Sequence, residues 1–298
     1  MENVAIIGLG MVGYEMVKKY LGLEDYRVHI VTRSNKEFFK DDVDKYIVDI
    51  TNENKIKETI KKINPDFVVN TAAITNVDLC ETERDLAYKT NALAVKYLGE
   101  ACKEIGAPLC HISTDYVFDG NRENQRSYTE EDKINPINYY GYTKAEGERL
   151  LNELDYDLTS IVRISVPYCI SPVKVNFLMW VLEKLKAGET INVVVDQWNT
   201  PTYVNELVDG IVKIYEKDVN KLLHFGGSER LSRYEFALKV AEVFDLNGDL
   251  INPIRSSELG WKANRPKNTS LNSEKVEKLL NIKLKKVDEC LNELKKII

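Results

Sequence analysis

The chain has 298 residues, 44% of them hydrophobic and 30% charged, which is enough for one large domain or two closely packed ones. Its 47 acidic and 41 basic side chains give a net charge of −6, and this balance argues against a nucleic-acid partner, because such proteins usually carry a basic patch. No apolar run approaches the ~20 residues of a membrane span, and the N-terminus lacks the pattern of a secretory signal, so we expect a cytoplasmic protein without membrane contact.

The first half of the chain alternates strand and helix signals. Short apolar runs predict strands, and apolar residues that recur every three or four positions predict helices. The predicted strands cover residues 4–8, 27–32, 67–70, 109–113 and 160–164, and the predicted helices cover 11–21, 53–64 and 85–105. Regular alternation of this kind indicates parallel βαβ units, so we predict an α/β fold with a doubly wound, Rossmann-like parallel sheet.

The alternation loosens after Ser165. Further helices are predicted at 177–186, 204–217 and 233–244 and strands at 191–195 and 222–225, followed by a polar stretch at 251–271 and two Lys/Glu-rich helices. We expect residues 1–165, with a return segment at about 200–222, to form the Rossmann domain. Residues 166–199 and 223–298 would then form a smaller C-terminal substrate-binding cap over the carboxyl edge of the sheet.

The cysteines and histidines give no sign of a disulfide or a metal site. The five cysteines are odd in number, and no two of them stand in C-x-x-C spacing. In a chain of this size that pattern is typical of reduced, buried thiols. The three histidines are widely scattered, so we expect no bound metal.

A G-L-G-M-V-G segment lies between the first predicted strand and the first predicted helix. In a dinucleotide-binding turn of this form, Gly8 allows the tight turn, Gly10 lets a pyrophosphate approach, and Gly13 packs the helix on the strand. The N–H groups that open the helix, at Met11 and Val12, would then face the phosphates. The alternative is a turn with a purely structural role.

The residue type at the end of the second strand bears on the choice of cofactor. Enzymes that select NAD usually place an acidic residue about 20 residues past the glycines, where it binds the ribose 2′-OH. Arg33 stands 20 residues after Gly13, and a cation there would pair with a 2′-phosphate. We therefore predict NADPH as the preferred cofactor, with NADH possible; the alternative is an exposed arginine at a strand end.

A tyrosine and a lysine four residues apart form the candidate catalytic pair. In a helix, Tyr140 and Lys144 project from the same face. A free tyrosine titrates near pH ~10, and a neighbouring ammonium group favours the phenolate, which would make Tyr140 a usable general acid–base. The alternative is a packed aromatic ring beside a solvated lysine. A hydroxyl donor should complete such a site, and Ser113 and Thr114 follow a strand whose carboxyl end lies at the ligand-binding edge.

With these motifs, the sequence resembles the extended short-chain dehydrogenase/reductase superfamily and, within it, the dTDP-4-dehydrorhamnose reductase family. The resembling segments are residues 64–78, 111–120, 135–144, 196–197, 201–202 and 265–266. The string S-T-D-Y-V-F-D-G within them is far more specific than the glycine motif. The resemblance implies NADPH- or NADH-dependent reduction of the C4 ketone of a nucleotide-linked 4-keto-6-deoxysugar, with dTDP-L-rhamnose as the expected product.

The resemblance also implies roles for individual residues of the catalytic site. Tyr140 would protonate the C4 oxygen of the sugar as the nicotinamide delivers hydride. Lys144 would hold the nicotinamide ribose and lower the pKa of Tyr140. Thr114 would hydrogen-bond the reacting oxygen, and Asp115 would contact the sugar, although Asp115 could equally be a turn former.

On the cofactor side, the resemblance implies that Asp49 reaches the adenine and that Ala72 and Ala73 line the cofactor. Asn91 would support the site. Two of these residues also have plainer explanations: Asp49 as the end of a strand, and Asn91 as a polar side chain satisfied within its helix.

The chain departs from the reductase pattern in two places. The first loop reads G-x-G-x-x-G, where the family generally has G-x-x-G-x-x-G. Family reductases also commonly carry a tryptophan two or three residues after the arginine that matches Arg163, whereas this chain has Ser165 and Val166 there. Either the sugar differs, or another side chain such as Trp198 supplies the apolar surface.

The missing tryptophan leaves other functions open. The chain is also similar to the regulatory β subunits of methionine adenosyltransferase, which have this fold and bind NADP but act as partners. The intact Thr114 and Tyr140–Lys144 set favours the enzyme. A third reading is reduction or epimerisation of another nucleotide sugar.

The assembly state is also open, because some relatives dimerise through a C-terminal magnesium site. The carboxylates Asp288, Glu289 and Glu293 lie in a Lys/Glu-rich segment, where a solvated helix face explains them. The sequence therefore leaves a homodimer as one option.

Overall fold

A seven-stranded sheet forms the centre of the protein in the computed structural model, which describes residues 1–34, 37–39, 42–121 and 126–298. In spatial order its strands are β3 (Asp44–Ile47), β2 (Tyr26–Thr32), β1 (Glu2–Ile7), β4 (Phe67–Asn70), β5 (Leu109–Thr114), β6 (Thr159–Ile164) and β9 (Leu222–Phe225). All neighbouring strands are parallel. The order reverses between β1 and β4, which is the switch point where sheets of this kind bind ligands. The predicted doubly wound, Rossmann-like α/β fold is confirmed.

Both faces of the sheet are covered, as a parallel sheet requires. Side chains alternate along β1, so Val4 and Ile6 enter one core while Ala5 and Ile7 enter the other. The first core is closed by α1 (Met11–Leu21), α8 (Val204–Glu216) and α10 (Glu274–Leu280). The second core is closed by α2 (Glu53–Ile63), α5 (Ala94–Ile105) and α6 (Tyr139–Asn152).

The long helix predicted over residues 85–105 is interrupted. The structure has α4 (Arg84–Tyr88), a π-helical turn at Lys89–Leu93, and then α5, with the short α3 (Val77–Thr82) before them. Within the π turn, the buried Asn91 side chain binds the backbone N–H and C=O of Ile74 and the hydroxyl of Thr143. Apolar spacing cannot reveal this wider turn, because its purpose is a polar contact with other segments.

The remaining elements build a second, smaller core. They are α7 (Phe177–Lys186), β7 (Ile191–Val194), β8 (Trp198–Asn199), β10 (Leu231–Ser232), α9 (Arg233–Val243), β11 (Ile251–Ile254) and α11 (Val287–Lys295). We call this group the cap. Leu178, Leu182, Phe236, Val240 and Leu291 pack together inside it. Strand β11 was not predicted, because it lies in the stretch 251–271 that reads as polar; it pairs with β7.

The predicted division into two domains stays a prediction, although two of its boundaries can be compared with the structure. Residue 222, the predicted end of the return segment, is the first residue of β9, and all of β9 belongs to the sheet. Helix α10 lies within residues 223–298, which the sequence predicts to belong to the cap, but its residues Val276 and Leu280 pack in the sheet core beside α8.

The helices, the thiols and the carboxylates near the C-terminus can be compared with the predictions made from the sequence. Among the described residues, no helix is long and apolar enough to cross a membrane. All five cysteines are buried and free. Near the C-terminus, Asp288 pairs with Lys239, and Glu293 pairs with Lys285. Glu289 accepts a hydrogen bond from the N-cap of α11, so each of these carboxylates has a partner within the chain.

Candidate active site

Two adjoining cavities open at the carboxyl edge of the sheet, beside the switch point. The first, which we call the glycine cavity, has a volume of about 280 Å³ and is lined by Gly8, Gly10, Arg33, Asp49 and Ala72 among others. The second, the tyrosine cavity, has a volume of about 410 Å³ and is lined by Met11, Val12, Thr114, Asp115, Tyr140 and Lys144 among others. Gly10, Thr71 and Ala73 line both cavities. The structure therefore brings nearly all of the predicted site residues to one edge.

The glycine turn has the geometry that its sequence predicts. Gly8 has a positive φ of 91°, and a Cβ on it would lie 2.7 Å from the Cα of Ala72. A Cβ on Gly13 would lie 2.0 Å from the carbonyl oxygen of Gly8, so Gly13 packs α1 on the turn and lines neither cavity. Gly10 has open space around it and no side chain caps the N-terminus of α1, so the N–H groups there can receive an anion.

Arg33 and Asp49 lie together at the far side of the glycine cavity. Oδ1 of Asp49 accepts hydrogen bonds from the backbone N–H (2.9 Å) and the hydroxyl (2.8 Å) of Thr51. These two bonds are the main reason that the pKa of Asp49 is lowered, with a smaller contribution from the Arg33 guanidinium. The exposed Arg33 guanidinium is thus close enough for its charge to lower the pKa of Asp49.

Asn91 has a different position from the other predicted cofactor residues. It is fully buried and lines neither cavity. Its amide group instead fixes Ile74, next to Ala72 and Ala73, and reaches Thr143 on α6. Asn91 therefore supports the loop that forms the shared wall, without facing the space inside it.

Tyr140 and Lys144 face the same cavity because α6 runs along its edge. The N-cap of this helix is Asn138, whose side chain accepts from the N–H of Gly141 (2.8 Å). Gly141 permits a close approach: a Cβ there would lie 2.1 Å from the carbonyl oxygen of Tyr116. This contact brings the Tyr140 ring against the Tyr116 ring, with centroids 5.9 Å apart.

The predicted lowering of the Tyr140 pKa by Lys144 stays a prediction, and in the protein without ligands burial acts in the opposite direction. Burial raises the pKa of Tyr140, and a hydrogen bond with Thr114 opposes this only in part. Lys144 has other partners: its Nζ donates to the carbonyl oxygen of Ile112 (2.7 Å) and lies 3.1 Å from Nε2 of His111. Burial also lowers the pKa of Lys144 itself to about 8.

Asp115 ties three segments together beneath the cavity. Its Oδ1 accepts from the hydroxyl of Thr114 (3.1 Å), and its Oδ2 accepts from Ser165 (2.8 Å) and Thr269. Burial raises the pKa of Asp115, whereas the hydrogen bonds from Thr269 and Ser165 oppose that rise. Both carboxylate oxygens are thus engaged within the chain, and the contact with the sugar that the family resemblance implies stays a prediction.

The cap supplies walls that the sequence analysis missed. Arg233 and Phe177 line the tyrosine cavity, with the guanidinium 5.2 Å from the ring centroid. Lys174 spans the mouth, with its Nζ 2.7 Å from the hydroxyl of Thr75. The expectation for Trp198 is wrong, because Arg230 covers its ring at 4.0 Å and it lines neither cavity. No local sequence motif distinguishes these residues, because they come together at the cavity only in the folded chain.

Val166, one of the two positions where the family resemblance implies a tryptophan, lines the tyrosine cavity with a strained backbone. Its φ is 43°, a left-handed conformation that costs a β-branched residue ~1–3 kcal/mol. Hydrogen bonds between Ser165 and Thr202, and from the N–H of Tyr168 to Thr202, clamp the segment on both sides. Val166 and Phe177 line the same cavity.

A Rossmann-like sheet, a glycine turn at its switch point and a Tyr–Lys pair at the same edge define a protein of the extended short-chain dehydrogenase/reductase class. The family model described as "RmlD substrate binding domain" matches residues 3–297. The chain therefore belongs to the RmlD family, the family of the dTDP-4-dehydrorhamnose reductases, as its sequence motifs predict.

Individual relatives agree with this assignment. The dTDP-4-dehydrorhamnose reductase of Aggregatibacter actinomycetemcomitans is 34% identical over 246 residues, which are 79% of this chain and 82% of that protein. The spore coat polysaccharide biosynthesis protein SpsK of Bacillus subtilis is 33% identical over 233 residues, 78% of this chain and 80% of that one. The structure also resembles dTDP-4-dehydrorhamnose reductase from Bacillus anthracis in complex with NADP, with a TM-score of 0.89, 30% identity, and coverage of 100% of this chain and 99% of that one.

Proposed function

We propose that the protein reduces the C4 ketone of a nucleotide-linked 4-keto-6-deoxysugar with NADPH, and that dTDP-4-dehydro-L-rhamnose is the first substrate to test. The observation that carries this proposal is the shared cavity wall. Tyr140, Thr114 and Lys144 line one cavity, and that cavity meets the glycine cavity at Gly10 and Ala73. The NADP bound to the Bacillus anthracis relative supports the choice of cofactor.

The residues of the glycine cavity fit a phosphorylated dinucleotide. The uncapped N–H groups of Met11 and Val12 suit a pyrophosphate, and Gly10 leaves space for it. Arg33 is the cation for a 2′-phosphate, and Asp49 lies beside it for the adenosine end. NADPH, when bound, supplies the hydride. NADH remains a second cofactor to measure.

On the sugar side, Tyr140 is the proton donor in our proposal. Its phenol carries a proton at neutral pH, but burial raises the pKa and makes it a weaker acid than a free tyrosine, so transfer to the C4 oxygen requires that pKa to fall when cofactor and sugar bind. Thr114 at present directs its own hydroxyl proton at Asp115, so it must rotate before it can donate to that oxygen. Arg233 and Lys174 place positive charge at the cavity wall, where it suits an anionic nucleotide sugar.

The identity of the sugar is the least constrained part of the proposal. Val166 stands where family reductases commonly carry a tryptophan, and the relatives include a probable low-salt glycan biosynthesis reductase, Agl14 of Haloferax volcanii, at 31% identity. Reduction of another nucleotide-linked 4-ketosugar is therefore the second candidate function.

The direct experiment follows the absorbance of NADPH while a panel of nucleotide-linked 4-ketosugars is supplied, with product analysis for each. Turnover of dTDP-4-dehydro-L-rhamnose supports the first candidate, and turnover of another ketosugar alone supports the second. Tyr140→Phe serves as the control for contaminating reductases. The absence of turnover with every sugar, together with co-purification of an adenosyltransferase, would favour the regulatory alternative.

Three coarser features complete the proposal. We place cofactor binding in residues 1–165 with the return segment, and sugar binding in the cap. Cytoplasmic location and a homodimeric assembly remain predictions, which fractionation and sedimentation measurements can test.

A further inference from the structure

A chain of buried polar groups runs from the wall of the glycine cavity to Lys144. The backbone N–H of Ala72 donates to Oδ1 of Asn70 (3.1 Å), and Nδ2 of Asn70 lies 3.0 Å from Nδ1 of His111. On the other side of the ring, Nε2 of His111 lies 3.1 Å from Nζ of Lys144. Asn70, His111 and Lys144 are each no more than 1% exposed, so water does not compete for these contacts.

The direction of each hydrogen bond follows from the backbone end of the chain. A backbone N–H can only donate, so the part of Asn70 that faces Ala72 is the carbonyl oxygen. The NH₂ group of Asn70 then faces His111, whose Nδ1 must accept. A neutral imidazole with an accepting Nδ1 carries its proton on Nε2, which points at Lys144. Nζ can accept that hydrogen bond only as a neutral amine, because an ammonium group has no lone pair.

Building on the proposed function, we propose that Asn70 and His111 are positioning residues that favour the neutral amine of Lys144 over its ammonium form in the ligand-free protein. The lone pair of Lys144 then accepts from His111, and one N–H donates to the carbonyl oxygen of Ile112 (2.7 Å). The second N–H is left for a ligand in the tyrosine cavity, which Lys144 lines.

The surroundings of Lys144 displace its ionisation toward the neutral amine, which predominates above about pH 8. Burial lowers its pKa to about 8, and Glu148, one turn further along α6, opposes this. Glu148 is itself bound by Arg163 through Nη2 (2.6 Å) and Nε (3.0 Å) and accepts from Ser113, so its charge is already compensated. The pKa of His111 is lowered well below its usual value, by burial first and, where Lys144 is charged, by that charge second, so the imidazole is neutral in either state of Lys144.

Protonation of Lys144 must therefore disturb the whole chain of hydrogen bonds. If the His111 proton moves to Nδ1, two N–H donors oppose each other, one on Nδ1 and one on the NH₂ group of Asn70. If Asn70 then turns over, its NH₂ group faces the N–H of Ala72. One buried hydrogen bond is lost in each case, and the last of them lies at the wall of the glycine cavity. The protonation state of Lys144 is thereby linked to that wall.

Imidazole ¹⁵N chemical shifts test the proposal in the wild-type protein, because protonated and lone-pair ring nitrogens resonate far apart. The chain has three histidines, and His111→Phe identifies the signals of His111. We expect a protonated Nε2 and an unprotonated Nδ1 at about pH 9 in the absence of ligands, where Lys144 is mainly the amine. A proton on Nδ1 at that pH would overturn the proposal.

Asn70→Asp reverses the pattern while keeping the shape of the side chain. One carboxylate oxygen still accepts from Ala72, and the other accepts from Nδ1 of His111, so the ring proton should move to Nδ1. The ionisation midpoint of Lys144, followed by its ¹³Cε shift, should rise by about one pH unit or more, a tenfold gain in proton affinity. Asn138→Asp, a charge-matched control at the start of α6, should leave the tautomer unchanged.

The outcomes separate this proposal from the proposed function. Neither measurement needs cofactor or sugar, so the expected tautomer without any reductase turnover would sink the function and keep the positioning role. Reductase turnover with Nδ1 protonated would support the proposed function and overturn the positioning role. An unchanged tautomer and midpoint in folded Asn70→Asp would overturn the proposal; if that variant does not fold, the wild-type tautomer decides.

Discussion

Gly141 sets the distance between α6 and the 3-10 turn at Asp115–Val117, and its substitution tests the placement of Tyr140. A Cβ at residue 141 would lie 2.1 Å from the carbonyl oxygen of Tyr116 and 3.0 Å from the Cβ of Pro136. Ordinary contact begins at 3.4 Å, so in Gly141→Ala the helix and the turn must separate by roughly 1.3 Å, the difference between that distance and 2.1 Å. The obstructing atom belongs to the backbone, which cannot rotate aside.

That separation carries Tyr140 away from Thr114. A misplacement of about 1 Å costs roughly 10²-fold in rate, equivalent to about 2.7 kcal/mol of transition-state stabilisation. We therefore expect kcat of Gly141→Ala to fall about 100-fold, with stability reduced by ~1–3 kcal/mol through overpacking. The affinity for NADPH should change little, because Arg33 and Gly10 lie in the glycine cavity.

Steady-state NADPH oxidation measures kcat, fluorescence titration measures the Kd for NADPH, and urea unfolding measures stability. Gly22→Ala is the matched control, because a Cβ at the end of α1 meets the carbonyl oxygen of Lys19 at an ordinary 3.4 Å. A kcat for Gly141→Ala within about threefold of wild type would refute the link between this close approach and the position of Tyr140.

Three other substitutions test chemistry and charge. Tyr140→Phe keeps the ring against Tyr116 but removes the proton donor, so kcat should fall by ~10²–10⁴-fold while fluorescence titration still detects NADPH binding. Arg33→Ala removes a cation from the glycine cavity, so KM should rise for NADPH and stay constant for NADH in steady-state assays. Burial, and next the charge of Arg163, lower the pKa of His224 to about 3, whereas histidine in the unfolded chain titrates near ~6.5. The unfolded state therefore binds the extra proton between these values, and stability should fall as the pH drops through them, by up to about 1.4 kcal/mol per pH unit. His224→Gln should reduce that slope in urea unfolding.

Each of these predictions has a result that contradicts it. A wild-type kcat for Tyr140→Phe would remove Tyr140 from proton transfer. An unchanged ratio of the two KM values in Arg33→Ala would remove the 2′-phosphate from its neighbourhood. Equal pH slopes for wild type and His224→Gln would mean that His224 takes up its proton in the folded protein as readily as in the unfolded one.

Spacing along the chain was enough to predict much of the site. Tyr140 and Lys144 share a helix face because four residues make about one turn, and both line the tyrosine cavity. Gly8 and Gly10 lie at the switch point because the turn directly follows β1. Thr114 ends β5, so the direction of the strand alone carries it to the ligand-binding edge.

Contacts across the fold could not be predicted in this way. Phe177 and Arg233 reach the tyrosine cavity because α7 and α9 pack over it, and no local pattern distinguishes them from other cap residues. Trp198 has an equally suitable side chain, but Arg230 covers it elsewhere in the cap. The strain at Val166 is also invisible in the sequence, because Thr202 imposes it from a distant segment.

By itself the sequence determined the alternation of strands and helices, the glycine turn and the helix face that carries the Tyr–Lys pair, because these depend on short-range periodicity and steric freedom. Only the tertiary structure decided the protonation of those groups. The pKa of Tyr140 rises with burial, and the partners of Lys144 are Ile112 and His111, more than thirty residues away. Desolvation and long-range hydrogen bonds exist only once the chain has folded, so their effects cannot be read from residue order.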